Sequence, residues 1–290
     1  MSAVWKKAIE LGCARSEPFC LAHPQSAGTG KAGLQRGHLA GSSLDFKDHR
    51  DYQPGDDLRH IDWNSFARTD RLTLKLYHEE IMPHLDLCLD VSRSMALPNS
   101  RKEEASLALS AFFANAAGHA GYSHTLSLAG DHCLPKPDGD RPPILWSPFL
   151  FNHQQPPHAA LSAHTFKRHG VRIFISDLLW PGDPQPLINV LSRDAASLLV
   201  VQVLAKQDIH LQPGGKMRLE DSETGTYHEI LMDATTVKRY SKALDTHNAL
   251  WRNAAQRAGA VHTLIEAESF LDQWQFDPEV LHSFLRVRGG

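Results

Sequence analysis

Leu85-Asp86-Leu87-Cys88-Leu89-Asp90-Val91-Ser92-Arg93-Ser94-Met95 is the stretch on which the fold turns. Its first half is short, rich in leucine and suited to a buried strand. Its second half breaks that pattern with small polar residues. Ser100 and Glu103 then stand at capping-box spacing before a helical pattern of Ala105, Leu109, Phe112, Phe113 and Ala116. Strand, polar loop and helix in that order form the first half of a strand–helix–strand unit.

The pattern repeats downstream. Val171–Ser176 is an apolar strand ending at Asp177, and a helical segment over 184–193 follows it. Ser197–Ala205 (SLLVVQVLA) is another buried strand, and Val261–Ile265 is a last one. Between them, Lys216–Leu219 and Thr226–Leu231 flank a hairpin turn at Glu223-Thr224-Gly225, within Asp221–Gly225. Val237, Tyr240, Leu244, His247, Trp251, Ala254 and Ala258 trace a long amphipathic helix stopped by Gly259. Asp277-Pro278 opens a terminal helix. Continuously apolar strands alternating with helices predict an α/β fold with a doubly wound, mostly parallel sheet.

Upstream, Arg71–Ile81 alternates as a half-buried strand. Leu39–Arg71 holds seven Asp against five Lys and Arg, with Tyr52, Trp63 and Phe66 interleaved, which predicts a loop region held by ion pairs. Arg50, Arg59 and Arg68 are expected to pair with Asp56, Asp57 and Asp62, while Tyr52 and Trp63 bury. Gln53-Pro54-Gly55-Asp56 has the form of a type II turn. The expected organisation is an irregular segment over 1–33, an acidic segment plus strand over 34–83, and the α/β domain over 84–290.

Composition narrows the function classes. The 290 residues are 42% apolar and 22% charged, and 30 Lys and Arg against 33 Asp and Glu give a formal charge of −3. A chain built to coat nucleic acid carries a basic surplus, so that class is disfavoured. Four scattered cysteines form no CxxC pair. The start of the chain lacks the apolar core of a signal peptide, and the charge-free stretch 105–130 is interrupted by Asn115, His119, His124 and three glycines. A cytoplasmic protein without a membrane span is expected. Eighteen histidines form neither HExxH nor a Cys/His cluster. Ser26–Lys31 imitates a phosphate loop, but Gln25 stands where Gly is required and Ala32 where Ser or Thr is.

Chemistry concentrates where the two strands end. Ligands of open parallel sheets bind outside the carboxyl ends of strands, which places Asp90, Ser92, Ser94 and Asp177 on the functional edge. One carboxylate and two hydroxyls on a single turn, with a second carboxylate nearby, suit a hard cation such as Mg²⁺. Asp90, Ser92 and Ser94, with Ser176-Asp177, resemble the metal-ion-dependent adhesion site of von Willebrand factor A domains. In that family a cation so held leaves one position open for a partner's acidic side chain. The family adds a Thr from an intervening loop. Between residues 130 and 160 the nearest counterpart is Ser147.

The block from Arg50 to Trp63, followed by Ala67-Arg68-Thr69, is similar to the hallmark of the bacterial domain of unknown function 58 family. The similarity extends through Asp90–Ser94, Ile175-Ser176-Asp177 and Asp221–Gly225, over roughly residues 34–285. It implies a von Willebrand A-like protein working with a MoxR-type AAA+ ATPase in chaperone-like maturation of protein complexes. The expected function is therefore a non-enzymatic interaction module with a Mg²⁺ at Asp90, Ser92 and Ser94, supported by Asp177. The alternative is a metal-dependent phosphoester hydrolase using Asp90 and Asp177. Against it, Ser92 stands where a phosphatase would carry its general acid.

Overall fold

A computed structural model of the chain describes residues 3–23, 46–54, 56–77, 83–220 and 225–288. In chain order the elements are α1 (Ala3–Ser16), β1 (Phe19–Leu21), β2 (Phe46–Asp51), α2 (Trp63–Thr69), β3 (Thr73–Tyr77), β4 (His84–Asp90), α3 (Lys102–His119), β5 (Ser123–Ala129), β6 (Cys133–Pro135) and α4 (His158–Ala163). They continue with β7 (Val171–Ser176), α5 (Gln185–Ser192), β8 (Ser197–Leu204), α6 (Lys206–Ile209), β9 (Gly215–Glu220), β10 (Tyr227–Met232), α7 (Ala234–Arg257), β11 (Val261–Glu266), α8 (Ala267–Gln273), α9 (Pro278–Phe284) and β12 (Leu285–Val287). The chain divides into two compact units, Met1–Pro24 with Pro83–Gly290, and Gln25–Met82.

The larger unit is built on a six-stranded sheet in the order β6-β5-β4-β7-β8-β11. All pairs are parallel except β5 with β6. The chain runs outward from β4 through β5 to β6, then returns to the other side of β4 to lay down β7, β8 and β11. This is the doubly wound, von Willebrand A-like arrangement expected from the sequence, and the direction of winding reverses between β4 and β7.

Alternation along the strands supplies both faces with a core. Leu85, Leu87 and Leu89 join Ile173, Ile175, Leu199, Val201 and Val203 beneath α1, α3, α8 and α9. Cys88, Phe174, Leu198 and Val200 face the other way, onto Leu161, Leu187, Ile188, Leu191 and Trp251 from α4, α5 and α7. Every residue of β4 and β7 is buried, as strands covered on both sides must be.

The amino-terminal segment corrects the irregular reading of residues 1–33 over part of its length. Ala3–Ser16 is a helix packed on α3, and Phe19–Leu21 pairs antiparallel with β12. Trp5, Ala8, Ile9, Gly12 and Ser16 recur at helical spacing, but three of the five are small enough to hide the stripe. Gly12 is there because the helices nearly touch: a Cβ at this position would lie 2.1 Å from the Ala108 carbonyl oxygen. Helix α3 is buried on nearly every side, sandwiched between α1 and the sheet. At its start Ser100 accepts from the Lys102 amide (3.2 Å) rather than closing the expected box with Glu103. The expected hairpin forms from β9 and β10, with Glu220 opposite Tyr227. Its tip, residues 221–224, lies outside the described residues, as does the Ser26–Lys31 decoy.

In the smaller unit, β2 pairs antiparallel with β3 across α2. Arg50 meets Asp56 at 2.8 Å, and Arg59 grips Asp57 through Nε and Nη2, the closest approach being 2.6 Å, as expected. Asp56 also receives the Gln53 amide, and the Asp56 amide returns to the Gln53 carbonyl, closing the turn. Two expectations fail. Asp62 accepts the amides of Asn64 and Ser65 as the cap of α2, and Arg68 donates to the Asn64 carbonyl one turn back. An N-cap carboxylate faces the orphan amides of its own helix, so it is turned from the helix's last turn. Trp63, the first residue of α2, is 61% exposed and meets Phe66 edge-on one turn later on its own helix, while Tyr52 is half-buried.

Candidate functional site

Asp90 ends β4 and Ser176 ends β7, and because these strands are neighbours their side chains meet. Asp90 is fully buried. The Ser176 hydroxyl donates to its Oδ2 at 2.6 Å, and the Ser92 amide donates to Oδ1 at 2.9 Å. Burial, and after it the charge of Asp177, push the Asp90 carboxyl up to about 7. A carboxylate enclosed this way lacks a counter-charge.

The loop after β4 is held open by a neighbour. Ser92 forms a parallel bridge with His153, through hydrogen bonds from the Arg93 amide to the His153 carbonyl (2.9 Å) and from the His153 amide to the Val91 carbonyl (3.3 Å). A single 3-10 turn, Arg93–Ala96, then brings Ser94 beside Ser92, with hydroxyl oxygens 3.0 Å apart.

Across from them, Asp177 is fixed by an unusual turn. Leu178 has φ +58°, in the left-handed region that non-glycine residues rarely occupy. That turn lets the Leu178 amide reach Ser176 Oγ (3.0 Å) and the Leu179 amide reach Asp177 Oδ1 (3.2 Å). The remaining oxygen, Oδ2, receives the Lys102 ammonium at 2.9 Å. Lys102 opens α3 with its side chain only 1% exposed, and it also meets Asp208 Oδ2 at 3.3 Å. Burial works against its charge, but the two carboxylates outweigh that and hold the lysine above its ordinary value.

Ser92, Ser94, Lys102, Asp177, Asp208 and Glu220 line a cavity of about 350 Å³, walled by Leu97, Pro156, Leu179, Trp180 and Pro181. The four residues singled out from the sequence are thus gathered at one edge. Lys102 and Asp208 were missed. Lys102 carried one signal, the only lysine of its helix, standing at the head of the run that turns apolar after Glu104. Ser147 plays no part: it accepts from Lys136 at 2.9 Å, gives its amide to Asp138, and does not line the cavity.

The donor set passes one test for a hard cation. Neighbouring ligands of an octahedral Mg²⁺, each at ~2.1 Å, stand about 3.0 Å apart, the separation of the Ser92 and Ser94 oxygens. Near them Asp177 and Asp208 share the Lys102 ammonium, and Asp90 has neutral donors only. Among the described residues no three His, Cys, Asp or Glu side chains gather as a metal site, so an ion here would depend on the hydroxyls. Asp177 already has a cation in Lys102, which leaves Asp90, Ser92 and Ser94 as the residues that fit.

A family profile described as "Protein of unknown function DUF58" matches residues 48–250. The chain belongs to the DUF58 family. Its relatives include the uncharacterized protein Mb1516 of Mycobacterium bovis and the uncharacterized protein Rv1480 of Mycobacterium tuberculosis, each 25% identical over 73% of this chain and 71% of its own length. An uncharacterized Mycobacterium avium protein is 33% identical over 32% of this DUF58 chain and 55% of its own length. Among solved structures, an aerotolerance-related membrane protein of Bacteroides fragilis aligns with a TM-score of 0.41 at 13% identity, covering 66% of this chain and 95% of that one. BatB of Bacteroides thetaiotaomicron, a conserved hypothetical protein, aligns with a TM-score of 0.34 at 9% identity, covering 66% and 96%. No helix among the described residues of this DUF58 member is long and apolar enough to cross a membrane.

Proposed function

We propose that this DUF58 protein is a non-catalytic interaction module that uses the edge between β4 and β7 to receive an acidic group of a partner protein. Asp90, Ser92 and Ser94 would hold a hard cation such as Mg²⁺, which when bound supplies the positive charge that the partner's carboxylate recognises. Ser92 and Ser94 orient the site from one turn, Asp90 compensates charge from beneath, and the pair of Lys102 and Asp177 fixes the opposite wall. The observation that carries this reading is the pair of hydroxyls set 3.0 Å apart over a buried carboxylate. The partner class is a MoxR-type AAA+ ATPase or the complex it services, a context taken from family resemblance.

The hydrogen bonding favours binding over turnover. Both oxygens of Asp90 and both of Asp177 accept protein donors that hold the carboxylates fixed while each oxygen keeps a second lone pair, an arrangement suited to holding a cation. Capture of a MoxR-type ATPase from solution with and without EDTA tests the proposal. Capture is expected to need the divalent ion and to be lost in Ser94→Ala, whose half-buried hydroxyl is removable without emptying the core. Capture that survives both chelation and Ser94→Ala overturns the metal-bridged mechanism.

A further inference from the structure

The loop after β6 exposes apolar side chains that its own packing does not require. Between Arg141 and Phe151 it passes through a single 3-10 turn, Pro143–Leu145, fastened by internal bonds. The Leu145 amide donates to the Pro142 carbonyl (2.8 Å), the Trp146 amide to the Pro143 carbonyl (3.0 Å) and the Trp146 indole to the Arg141 carbonyl (2.9 Å). Lys136 donates to the Ser147 hydroxyl, and Asp138 accepts the Ser147 amide. Pro143, Trp146 and Phe151 are buried, whereas Ile144, Leu145 and Leu150 stay 57%, 60% and 55% exposed. Polar residues at those three outward positions would cost the core nothing.

Helix α1 extends this surface. It packs on the 143–145 turn, and Trp5 meets Phe149 edge-on with ring centroids 4.8 Å apart. That contact brings together the segments carrying Leu150 and Val4, the latter 51% exposed. Lys6 and Lys7 come directly after Trp5, Arg141 precedes the turn, and all three are exposed. Lys6 lies 3.7 Å from Glu10. Neither Lys7 nor the Arg141 guanidinium meets an acidic side chain among the described residues, although Asp140 is exposed beside Arg141 in the chain.

We infer that this surface docks on a lipid bilayer bearing anionic headgroups. Val4, Ile144, Leu145 and Leu150 enter the interface, and Lys6, Lys7 and Arg141 meet the headgroups. Apolar residues gathered in a patch, unlike ones scattered singly, mark a surface that something covers. Their type identifies the occupant. The centre of a protein–protein interface favours Trp, Tyr, Met and Arg and is depleted in lysine. Here Trp5 and Trp146 are turned inward, and the outward residues are aliphatic with lysines beside them. Aliphatic chains enter the acyl boundary with no polar atom to desolvate, while lysine stems lie along it and keep their ammonium among the phosphates. Charge complementarity sets the orientation. The chain carries a formal charge of −3, so an anionic bilayer repels it on average and attracts it at this basic edge.

Co-sedimentation with vesicles tests this. The full chain is kept in EDTA, so that no divalent ion bridges carboxylates to headgroups. It is mixed with vesicles of phosphatidylcholine alone or with about one-third phosphatidylglycerol, at about 0.05 M and about 0.5 M salt. Binding is expected to be about tenfold tighter to the anionic vesicles at low salt and to lose that advantage at high salt. Lys7→Ala and Arg141→Ala should each weaken it about fivefold, and Ile144→Ser/Leu145→Ser about tenfold or more. Leu250→Ser, on α7 across the sheet from α1, should leave it unchanged. No sedimentation, equal sedimentation with both vesicles, or sedimentation unmoved by Ile144→Ser/Leu145→Ser overturns the inference. So does a dimer in light scattering that Ile144→Ser/Leu145→Ser dissociates, since the patch would then face a second copy. The wild-type comparison of lipids and salt decides even if the variant does not fold.

Discussion

Strands β4 and β7 carry buried charge at both ends, and the two ends handle it differently. At the amino end, Asp86 of β4 faces Arg172 of β7 and His84, and receives the Lys167 amide at 3.1 Å. Arg172 spreads its guanidinium over the carbonyls of Leu191 (2.7 Å), Arg193 (2.6 Å) and Lys167 (3.0 Å), and stacks on Phe166 at 4.6 Å. Positive and negative groups there match within the protein. At the carboxyl end, Asp177 and Asp208 share one ammonium, Lys102, beside a cavity, while Asp90 lies buried near Asp177 with only the neutral donors Ser92 and Ser176. The same two strands thus hold a closed ion network at one end and an unbalanced one at the other. A buried charge pair says nothing about function by itself; a surplus that opens to a cavity does.

The two ends should respond differently to loss of their cations, Arg172 and Lys102. Arg172→Met strands Asp86 and three carbonyls in the interior, and urea denaturation should register a loss of roughly 3–5 kcal/mol that Mg²⁺ does not restore. Lys102→Met removes the ammonium that Asp177 and Asp208 share. Because Asp208 is partly open to water, the expected loss is smaller, about 2–3 kcal/mol. Part of it should return in millimolar Mg²⁺ or Mn²⁺, since an ion that binds only the folded state stabilises it. Rescue of both variants, or of neither, would erase the distinction between the ends.

A weaker signal comes from pH. Asp90 titrates at about 7 in the folded protein and near ~3.9 once unfolded. The folded chain therefore holds a proton that the unfolded chain has released. Its stabilising contribution is complete below the unfolded value and is lost as pH rises toward the folded one, by no more than about 1.4 kcal/mol per pH unit. Urea midpoints across that window should fall with rising pH in EDTA and flatten in Mg²⁺. Asp90→Asn should lack this component of the slope in both buffers. The smallest effect belongs to the exposed pair of Arg59 and Asp57. Arg59→Ala should leave both the denaturation midpoint and its Mg²⁺ dependence unchanged, because water screens that contact.

What could be read in advance follows the same division. Leu85–Leu89, Val171–Ser176 and Ser197–Leu204 announce themselves because strands buried on both faces have no polar side. Asp90 and Asp177 could be placed on one edge because each ends such a strand. Lys102 could not be paired with Asp177 or Asp208, because the partners come from separate crossovers and nothing local records that they meet. Helix α1 escaped because Ala8 and Gly12, which let it approach α3, dilute its apolar stripe. Trp63 misled for the opposite reason: an aromatic in a charged block invites burial, yet its ring finds Phe66 on its own helix and stays 61% exposed.

The central claim is that Asp90, Ser92 and Ser94 hold a hard divalent ion. Titrating Mn²⁺ into the metal-free protein, followed by the loss of free Mn²⁺ paramagnetic resonance, tests it directly. The account predicts one saturable site that Mg²⁺ displaces and that Ser92→Ala/Ser94→Ala abolishes while the fold persists. No uptake at millimolar Mn²⁺, or uptake indifferent to those two hydroxyls, would contradict it.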